Sequence, residues 1–207
     1  IRFGSVGKPL FNVKIKIADD GEILAQGPNI MIGYYGNEEA TKEAIDSDGW
    51  FHTGDIGHLD SDGFLFITDR KKNILVTSAG KNVAPAPIEN ALVTSPYIEQ
   101  SVVIGDKRNF ISALIVPAFE AVEKYLNEQD ISVSSHKEIS ENSEVKKLIQ
   151  KEIDSAMNQF SNYERVKEFI VLDRLLTLEE GELTPTLKVV RKVVLKNFDD
   201  RIEKIYS

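Results

Sequence analysis

The residues best suited to chemistry are concentrated between Gly49 and Pro85. This stretch contains the short runs HTGD, TDRKK and SAGK, which supply an aspartate, an arginine and a glycine–lysine turn. Asp55, in HTGD, follows a predicted strand, and a carboxylate there can accept two hydrogen bonds from a diol such as that of a ribose. When Asp55 is considered alone, a simple turn-capping role is the favoured interpretation.

Arg70, in TDRKK, lies 15 residues after Asp55 in the sequence, and this spacing suggests that the two residues share a site. A predicted hairpin from Leu59 to Thr68 separates the two residues. Because a hairpin returns the chain to its starting point, Arg70 is expected near Asp55, and its guanidinium suits hydroxyl and phosphate oxygens. The simpler interpretation is a surface ion pair with Asp55 or Asp69, which would contribute little energy.

Lys188 is the third candidate and lies in LTPTLKVVR. It follows a Thr/Pro-containing loop and is predicted just before or at the start of a helix. Such a lysine is a mobile point charge that can reach a phosphate on a neighbouring domain. For a single lysine, however, an ordinary solvated side chain is strongly favoured.

Two other patterns do not amount to sites. GSVGKP mimics the end of a phosphate-binding loop, but Arg2 stands where the full pattern needs glycine, and Pro9 stands where it needs serine or threonine. Asp60 and Asp62 alternate like calcium ligands, but the rest of the calcium-binding loop is missing. Plain turns are the better interpretation in both places.

The elements that must position these residues change in character near Asp69. Before it, apolar and polar residues alternate, as from Val13 to Ile17, and Asp20-Gly21 is a typical hairpin turn. After it, short apolar strands alternate with amphipathic helices. These patterns predict an α+β fold. Its predicted parts are a β-rich segment over residues 1–69, an α+β unit over 70–207 and a short hinge at 69–72.

Four helices are predicted from capping signals and apolar spacing. NEEATKEAI is expected to start at a cap on Asn37, and Pro85 or Pro87 can open another helix. ENSEVKKLIQKEIDSAMNQF carries an apolar stripe at helical spacing, and VVRKVVLKNFDDRIEKIY is predicted to close the chain as one amphipathic helix.

Composition excludes several classes of protein. The formal net charge is −8, which argues against a general nucleic-acid binder and against a basic patch for anionic membranes. The chain has no cysteine, so disulfides and zinc–thiolate sites are excluded. The histidines lack metal-ligand spacing, and no apolar run approaches the ~20 residues of a membrane span. We therefore predict no metal site within the chain.

Four stretches, taken together, resemble the C-terminal part of the adenylate-forming, AMP-binding superfamily, which includes acyl-CoA synthetases, luciferases and nonribosomal peptide adenylation domains. In chain order they are GSVGKPLFNVKIKIADDGEILAQGPNIMIGYY, GWFHTGD, GFLFITDRKKNILVTSAGKNVAPAPIEN and LTPTLKVVRK. Single stretches are weak signals, but four in order with matching spacing are highly specific and cover nearly the whole chain. DRKKNILVTSAGKNVAP and LTPTLK resemble the long-chain fatty acyl-CoA synthetase branch in particular, whereas other branches more often carry glycine at the position of Leu187.

The resemblance implies roles for the candidate residues. Asp55 would bind the ribose hydroxyls of ATP, and Arg70 would contact the same ribose. Lys188 would be the catalytic lysine of adenylation, bridging the fatty carboxylate and the α-phosphate. Lys72 would lie at the hinge between a large N-terminal domain and a small C-terminal lid. The SAGK turn would border the channel for the pantetheine of CoA, with Ser78, Gly80 and Lys81 on the CoA side.

The resemblance also implies an architecture and a reaction. Residues 1–69 would be the β-rich end of the large adenylation domain, and residues 70–207 would be the mobile lid. The enzyme would be an acid–thiol ligase that activates a fatty acid with ATP and then transfers it to CoA. The phosphate-binding loop and the Mg²⁺ ligand would lie upstream, so the missing N-terminal domain is the expected partner and the fragment alone is expected to be inactive. A cytoplasmic location is expected. Peripheral membrane contact is compatible with it, because long-chain acids partition into bilayers.

Two alternatives stay open at this point. The chain could belong to a sister ligase for an aryl, short-chain or amino acid, since the acyl pocket that would discriminate lies upstream. It could also be a non-catalytic, lid-like binding module. Loss of Asp55 or Lys188 would favour that module, and both residues are present.

Overall fold

The structure, a computed structural model, describes residues 2–207. The chain divides into two compact units, one ending at Ile74 and the other extending from Leu75 to Ser207. Both sheets and helices are present, and the predicted α+β fold class is confirmed. The hinge at residues 69–72 stays a prediction.

The first unit is built on an antiparallel sheet of four strands in the order β1-β2-β3-β4. Its strands are β1 (Lys14–Ile17), β2 (Glu22–Gln26), β3 (Phe51–Leu59) and β4 (Leu65–Arg70). Helix α1 (Glu38–Ala44) begins at Asn37, whose side chain accepts a hydrogen bond from the Ala40 amide, as the sequence predicts. A short 3₁₀ helix (Lys71–Asn73) follows β4.

The second unit places a three-stranded sheet between two groups of helices. Strand β7 (Ile98–Ile104) pairs antiparallel with β8 (Ile111–Pro117), and β8 pairs parallel with β9 (Val166–Val171). The helices are α2 (Pro85–Leu92), α3 (Phe119–Asn127), α4 (His136–Glu141), α5 (Ser143–Ala156), α6 (Arg191–Asn197) and α7 (Asp199–Tyr206). A two-stranded hairpin, β5 (Leu75–Val76) and β6 (Asn82–Val83), precedes α2.

Strand alternation produces two apolar cores in this unit. Every residue of β8 is buried, which is typical of a central strand covered on both faces. Ala113 and Ile115 pack with the core under α2, α3 and α5. Leu114 and Val116 belong to the second core, which α6 and α7 cover.

The prediction of a single C-terminal helix is wrong, because the segment forms two helices, α6 and α7. The break is at Phe198, whose backbone (φ −112°, ψ 15°) leaves the helical region. Phe198 is buried in the second core with Val194 and Ile202. The break lets helices on both sides of Phe198 reach that core, which periodicity alone does not reveal. The helix predicted to run to Phe160 ends at Ala156 and continues as a 3₁₀ turn (Met157–Gln159).

Candidate functional site

Asp55 and Arg70 are brought together by the β3–β4 hairpin. The two residues are direct partners in the strand register, and Arg70 Nη1 donates to Asp55 Oδ1 at 2.8 Å. The preceding residue, Gly54, has a φ of +69°, a conformation that glycine adopts without the cost other residues incur. The Asp55 side chain is 24% exposed. It therefore keeps access to solvent and can accept hydrogen bonds from a ligand hydroxyl.

A buried glutamate that sequence reasoning missed holds the backbone beside Asp55. Glu22 accepts hydrogen bonds from the Gly54 amide and from Lys71 Nζ, both at 2.9 Å. Its other close neighbour is His52 Nδ1, also at 2.9 Å. Burial raises the pKa of Glu22, but these hydrogen bonds lower it by more, so the net pKa lies below its usual value. Glu22 thus stays ionised and ties β2 to both ends of the β3–β4 hairpin.

Lys71 and Lys72 differ in their surroundings although they are neighbours in the 3₁₀ helix. Lys71 pairs with Asp20 at 2.7 Å as well as with Glu22, and these carboxylates raise its pKa. Lys71 is therefore fixed to the first unit. Lys72, the predicted hinge residue, is exposed and lies three residues before the second unit begins.

Ser78, Gly80 and Lys81 lie together in the turn of the β5–β6 hairpin. The Gly80 amide donates to the Thr77 carbonyl at 2.9 Å, and the Thr77 amide donates to the Lys81 carbonyl at 3.0 Å. Gly80 has a φ of +72°. The Ser78 amide also donates to the Arg108 carbonyl at 2.8 Å, which links the turn to the loop between β7 and β8.

Lys188 is exposed in a separate, tight loop of the second unit, three residues before α6. Leu183 and Val189 form an isolated antiparallel bridge at the base of the loop. The Thr184 amide donates to the Lys188 carbonyl at 2.8 Å, and the Lys188 amide donates to Thr184 Oγ1 at 3.1 Å. The backbone at Lys188 is thus fixed while its ammonium group is free to reach a ligand.

A second buried glutamate, also missed from the sequence, anchors this loop. Glu182 is 0% exposed and accepts two hydrogen bonds from Arg174, each at 2.7 Å, and one from Asn197 at 3.0 Å. Its backbone carbonyl accepts from the Val190 amide at 2.7 Å. Burial raises the pKa of Glu182, but the Arg174, Asn197 and Thr177 hydrogen bonds lower it by more, to a net value below the usual one.

Within the described residues, no group of three or more His, Cys, Asp or Glu side chains could hold a metal ion. Over residues 2–207, no helix combines the length and apolar character that crossing a bilayer requires.

Comparison with known proteins assigns a class to this arrangement. Residues 72–207 match the family described as AMP-binding enzyme C-terminal domain. This match covers more than half of the chain, and the chain belongs to that family.

Particular relatives narrow the comparison further. The chain is 46% identical over 211 residues to the long-chain-fatty-acid–CoA ligase FadD15 of Mycobacterium tuberculosis, a match that covers 100% of this chain and 34% of that protein. The chain therefore spans about a third of the length of this curated relative.

Solved structures give the same picture of the fold. The adenylation domain of the carboxylic acid reductase of Segniliparus rugosus, in complex with AMP and a carboxylic acid, superimposes with a TM-score of 0.74 at 27% identity, covering 96% of this chain and 32% of that one. The o-succinylbenzoate coenzyme A synthetase of Bacillus subtilis, in complex with AMP, gives a TM-score of 0.63 at 29% identity, covering 92% of this chain and 35% of that one.

Proposed function

We propose that this chain is the C-terminal part of a long-chain fatty acid–CoA ligase. The observation that carries the proposal is 46% identity, over the whole chain, to a protein named for that activity. In the proposed reaction, the fatty carboxylate attacks the α-phosphate of ATP, which forms acyl-AMP and releases pyrophosphate. The CoA thiol then attacks the acyl carbon, which forms the thioester and releases AMP.

Asp55 and Arg70 are proposed to hold the nucleotide ribose in this reaction. The carboxylate of Asp55 can accept hydroxyl donors while Arg70 holds one of its oxygens at 2.8 Å. That ion pair orients the carboxylate, and the Gly54 amide, which donates to Glu22, fixes the strand backbone immediately before it. The pair thus fits a diol ligand without rearrangement of the sheet.

Lys188 is proposed to neutralise charge in the first half-reaction. Negative charge builds between the carboxylate and the α-phosphate as they react, and a preorganised ammonium group lowers the barrier most when it is fixed there in advance. The hydrogen-bonded loop of Thr184 to Lys188 provides that fixed backbone.

In the second half-reaction, the turn containing Ser78, Gly80 and Lys81 is proposed to border the pantetheine of CoA. Residues 1–69 would then belong to the large domain and residues 70–207 to a mobile lid that pivots near Lys72. A lid of this kind exposes a different surface in each half-reaction.

Further parts of the enzyme belong to the segment that precedes these residues in the longer relatives. The phosphate-binding loop and the acyl pocket are proposed to lie there, together with the Mg²⁺ ligand. Without that N-terminal partner domain we propose that the chain is inactive. A cytoplasmic location with peripheral membrane contact is part of the same proposal.

A sister adenylate-forming enzyme for another acid is the second candidate, since the solved relatives include an o-succinylbenzoate coenzyme A synthetase. A substrate panel on the complete protein containing this segment separates the two. With ATP, Mg²⁺ and CoA, we expect hexadecanoate to yield a CoA thioester with release of AMP and pyrophosphate. Thioester formation only from benzoate or another aryl acid would favour the sister enzyme, and no adenylate from any acid would refute both.

A further inference from the structure

Leu187 occupies a position that this chain elsewhere gives to glycine. In the loop from Thr184 to Lys188, the fourth residue donates its amide to the first carbonyl at 2.8 Å, and the first amide donates to the fifth carbonyl at 2.8 Å. Among the described residues, the same pair of hydrogen bonds closes four other five-residue turns. They begin at Ala18, Asp46, Asp60 and Thr77.

The fourth residue is left-handed in all five turns. It is Gly21, Gly49, Gly63 and Gly80 in the four others, with φ between +72° and +85°. In the fifth it is Leu187, with a φ of +59°. A three-residue loop that ends in a left-handed residue is a standard hairpin connection in which glycine is preferred, because a Cβ atom is crowded there.

No packing within the described chain compensates for this unfavourable choice. Leu187 is 68% exposed and belongs to neither apolar core of the second unit. The left-handed conformation, the exposure and the position beside Lys188 together make Leu187 a candidate for contact with a ligand.

We propose that Leu187 is a substrate-contacting residue that covers the carboxylate end of the fatty acyl chain during adenylation. The inference rests on the proposed function of Lys188. Leu187 and Lys188 are neighbours with Cα atoms about 3.8 Å apart, and in this proposal the acyl chain of a carboxylate bound by Lys188 runs past the exposed Leu187 side chain. Burial of the leucine against those methylenes would favour apolar acids.

The test is ATP–pyrophosphate exchange by the complete enzyme with hexadecanoate, which isolates the first half-reaction. Leu187→Gly converts the loop into the glycine-containing turn found four times among the described residues, and Leu187→Asn retains a residue that tolerates the left-handed conformation. Both remove the apolar side chain without removing the turn. We expect each to raise the KM for hexadecanoate about tenfold or more, with the KM for ATP unchanged. Leu187→Met, which conserves apolar volume, should stay near the wild type.

Three results would overturn the inference. The first is an unchanged hexadecanoate KM in both Leu187→Gly and Leu187→Asn, including the case in which only kcat falls. The second is a rise in the KM for ATP as large as the rise in the KM for hexadecanoate. The third is a rise in the hexadecanoate KM of Leu187→Met as large as that of Leu187→Gly. Two controls separate the two levels. Absence of hexadecanoate-dependent exchange in the wild type would refute the proposed function, whereas normal exchange in Lys188→Ala would refute only the proposed role of Lys188.

Discussion

At the scale of single residues, Asp55 combines solvent access with a fixed orientation. Its partner Arg70 holds one carboxylate oxygen at 2.8 Å, and Gly54 sets the backbone immediately before it. A ligand hydroxyl therefore meets an acceptor that is already oriented, which is the condition under which a polar contact contributes most to binding.

Replacement of Asp55 tests this nucleotide contact. In the complete enzyme, Asp55→Ala should raise the KM for ATP about tenfold to a hundredfold, because hydrogen bonds to a charged group contribute roughly 1.5–3 kcal/mol, and it should slow adenylation. Asp19, which is exposed, provides the control, and Asp19→Ala should behave as the wild type. Steady-state kinetics with varied ATP measures the effect, and unchanged ATP dependence in Asp55→Ala would contradict the assignment.

Gly80 is the residue on which the SAGK turn depends. An added Cβ would find no atom within 4 Å, but the φ of +72° is unfavourable for any side chain. Gly80→Ala should therefore strain the turn by roughly 1–2 kcal/mol without a steric clash.

The functional consequence of Gly80→Ala should be confined to one half-reaction. Because this turn is proposed to border the pantetheine, transfer from supplied acyl-AMP to CoA should slow, while ATP–pyrophosphate exchange should continue. Stopped-flow or quenched single-turnover assays of each half-reaction measure the two rates. A loss limited to exchange would show that the turn serves adenylation instead.

At the scale of elements, buried glutamates hold the loops that carry the candidate residues. Glu182 connects Arg174, in the bend that follows β9, to Asn197 at the end of α6, and its backbone carbonyl accepts from the Val190 amide beside the Lys188 loop. A fully buried carboxylate with several charged and polar donors is costly to disturb, since removal of its charge leaves Arg174 unpaired.

Glu182→Gln should lower the free energy of unfolding of the complete enzyme's lid region by about 2 kcal/mol at neutral pH. Glu179, which is exposed, is the matched control, and Glu179→Gln should have little effect. Chemical denaturation measures the loss of stability, and native-state hydrogen exchange of residues 174–197 shows whether it lies in this region. Equal protection in both variants would contradict the anchoring role.

The pH dependence of Glu182 has a definite sign. Its pKa is lowered in the folded state, so the stability it contributes is fully present above the pKa of an unfolded glutamate, about 4.3. That contribution is lost as pH falls through the lower folded value. The difference in stability between the wild type and Glu182→Gln should therefore shrink below pH 4, and a constant difference down to pH 2 would refute the lowered pKa.

Sequence reasoning recovered features that depend on local signals. The cap at Asn37, the β3–β4 hairpin and the helix opened by Pro85 are each encoded within a few residues. Glu22 and Glu182 were missed because a lone glutamate in a sequence resembles a solvated charge. Their partners include Lys71 and Asn197, which are distant in the chain.

The repeated turn explains a further limit of sequence reasoning. Glycine at the fourth position makes the turns at Gly63 and Gly80 easy to predict. Leu187 gives no such signal, because leucine does not favour the left-handed conformation that the structure assigns to it. The break at Phe198 was missed for a related reason, since packing of α6 and α7 on one shared core accounts for it rather than helix propensity.

At the scale of the whole molecule, the chain contains two compact units whose candidate residues would serve different steps. The proposed ribose contact lies in the unit that ends at Ile74, and Lys188 and the SAGK turn lie on separate loops of the unit from Leu75 to Ser207. Lys71 is fixed to the first unit by Asp20 and Glu22. Pivoting of a lid is thus proposed to begin after Lys71, at the exposed Lys72.

The central claim is that this lid carries the adenylation lysine and uses another surface for thioester formation. Single-turnover kinetics of Lys188→Ala in the complete enzyme tests it most directly, with Lys192→Ala as the control because Lys192 is also exposed and follows closely in sequence. Loss of one preorganised charge contact typically costs about 3–4 kcal/mol. Lys188→Ala should therefore slow ATP-dependent acyl-AMP formation about a hundredfold to a thousandfold, yet convert supplied acyl-AMP and CoA to acyl-CoA at nearly the wild-type rate. Equal impairment of both half-reactions, or none in either, would contradict the account.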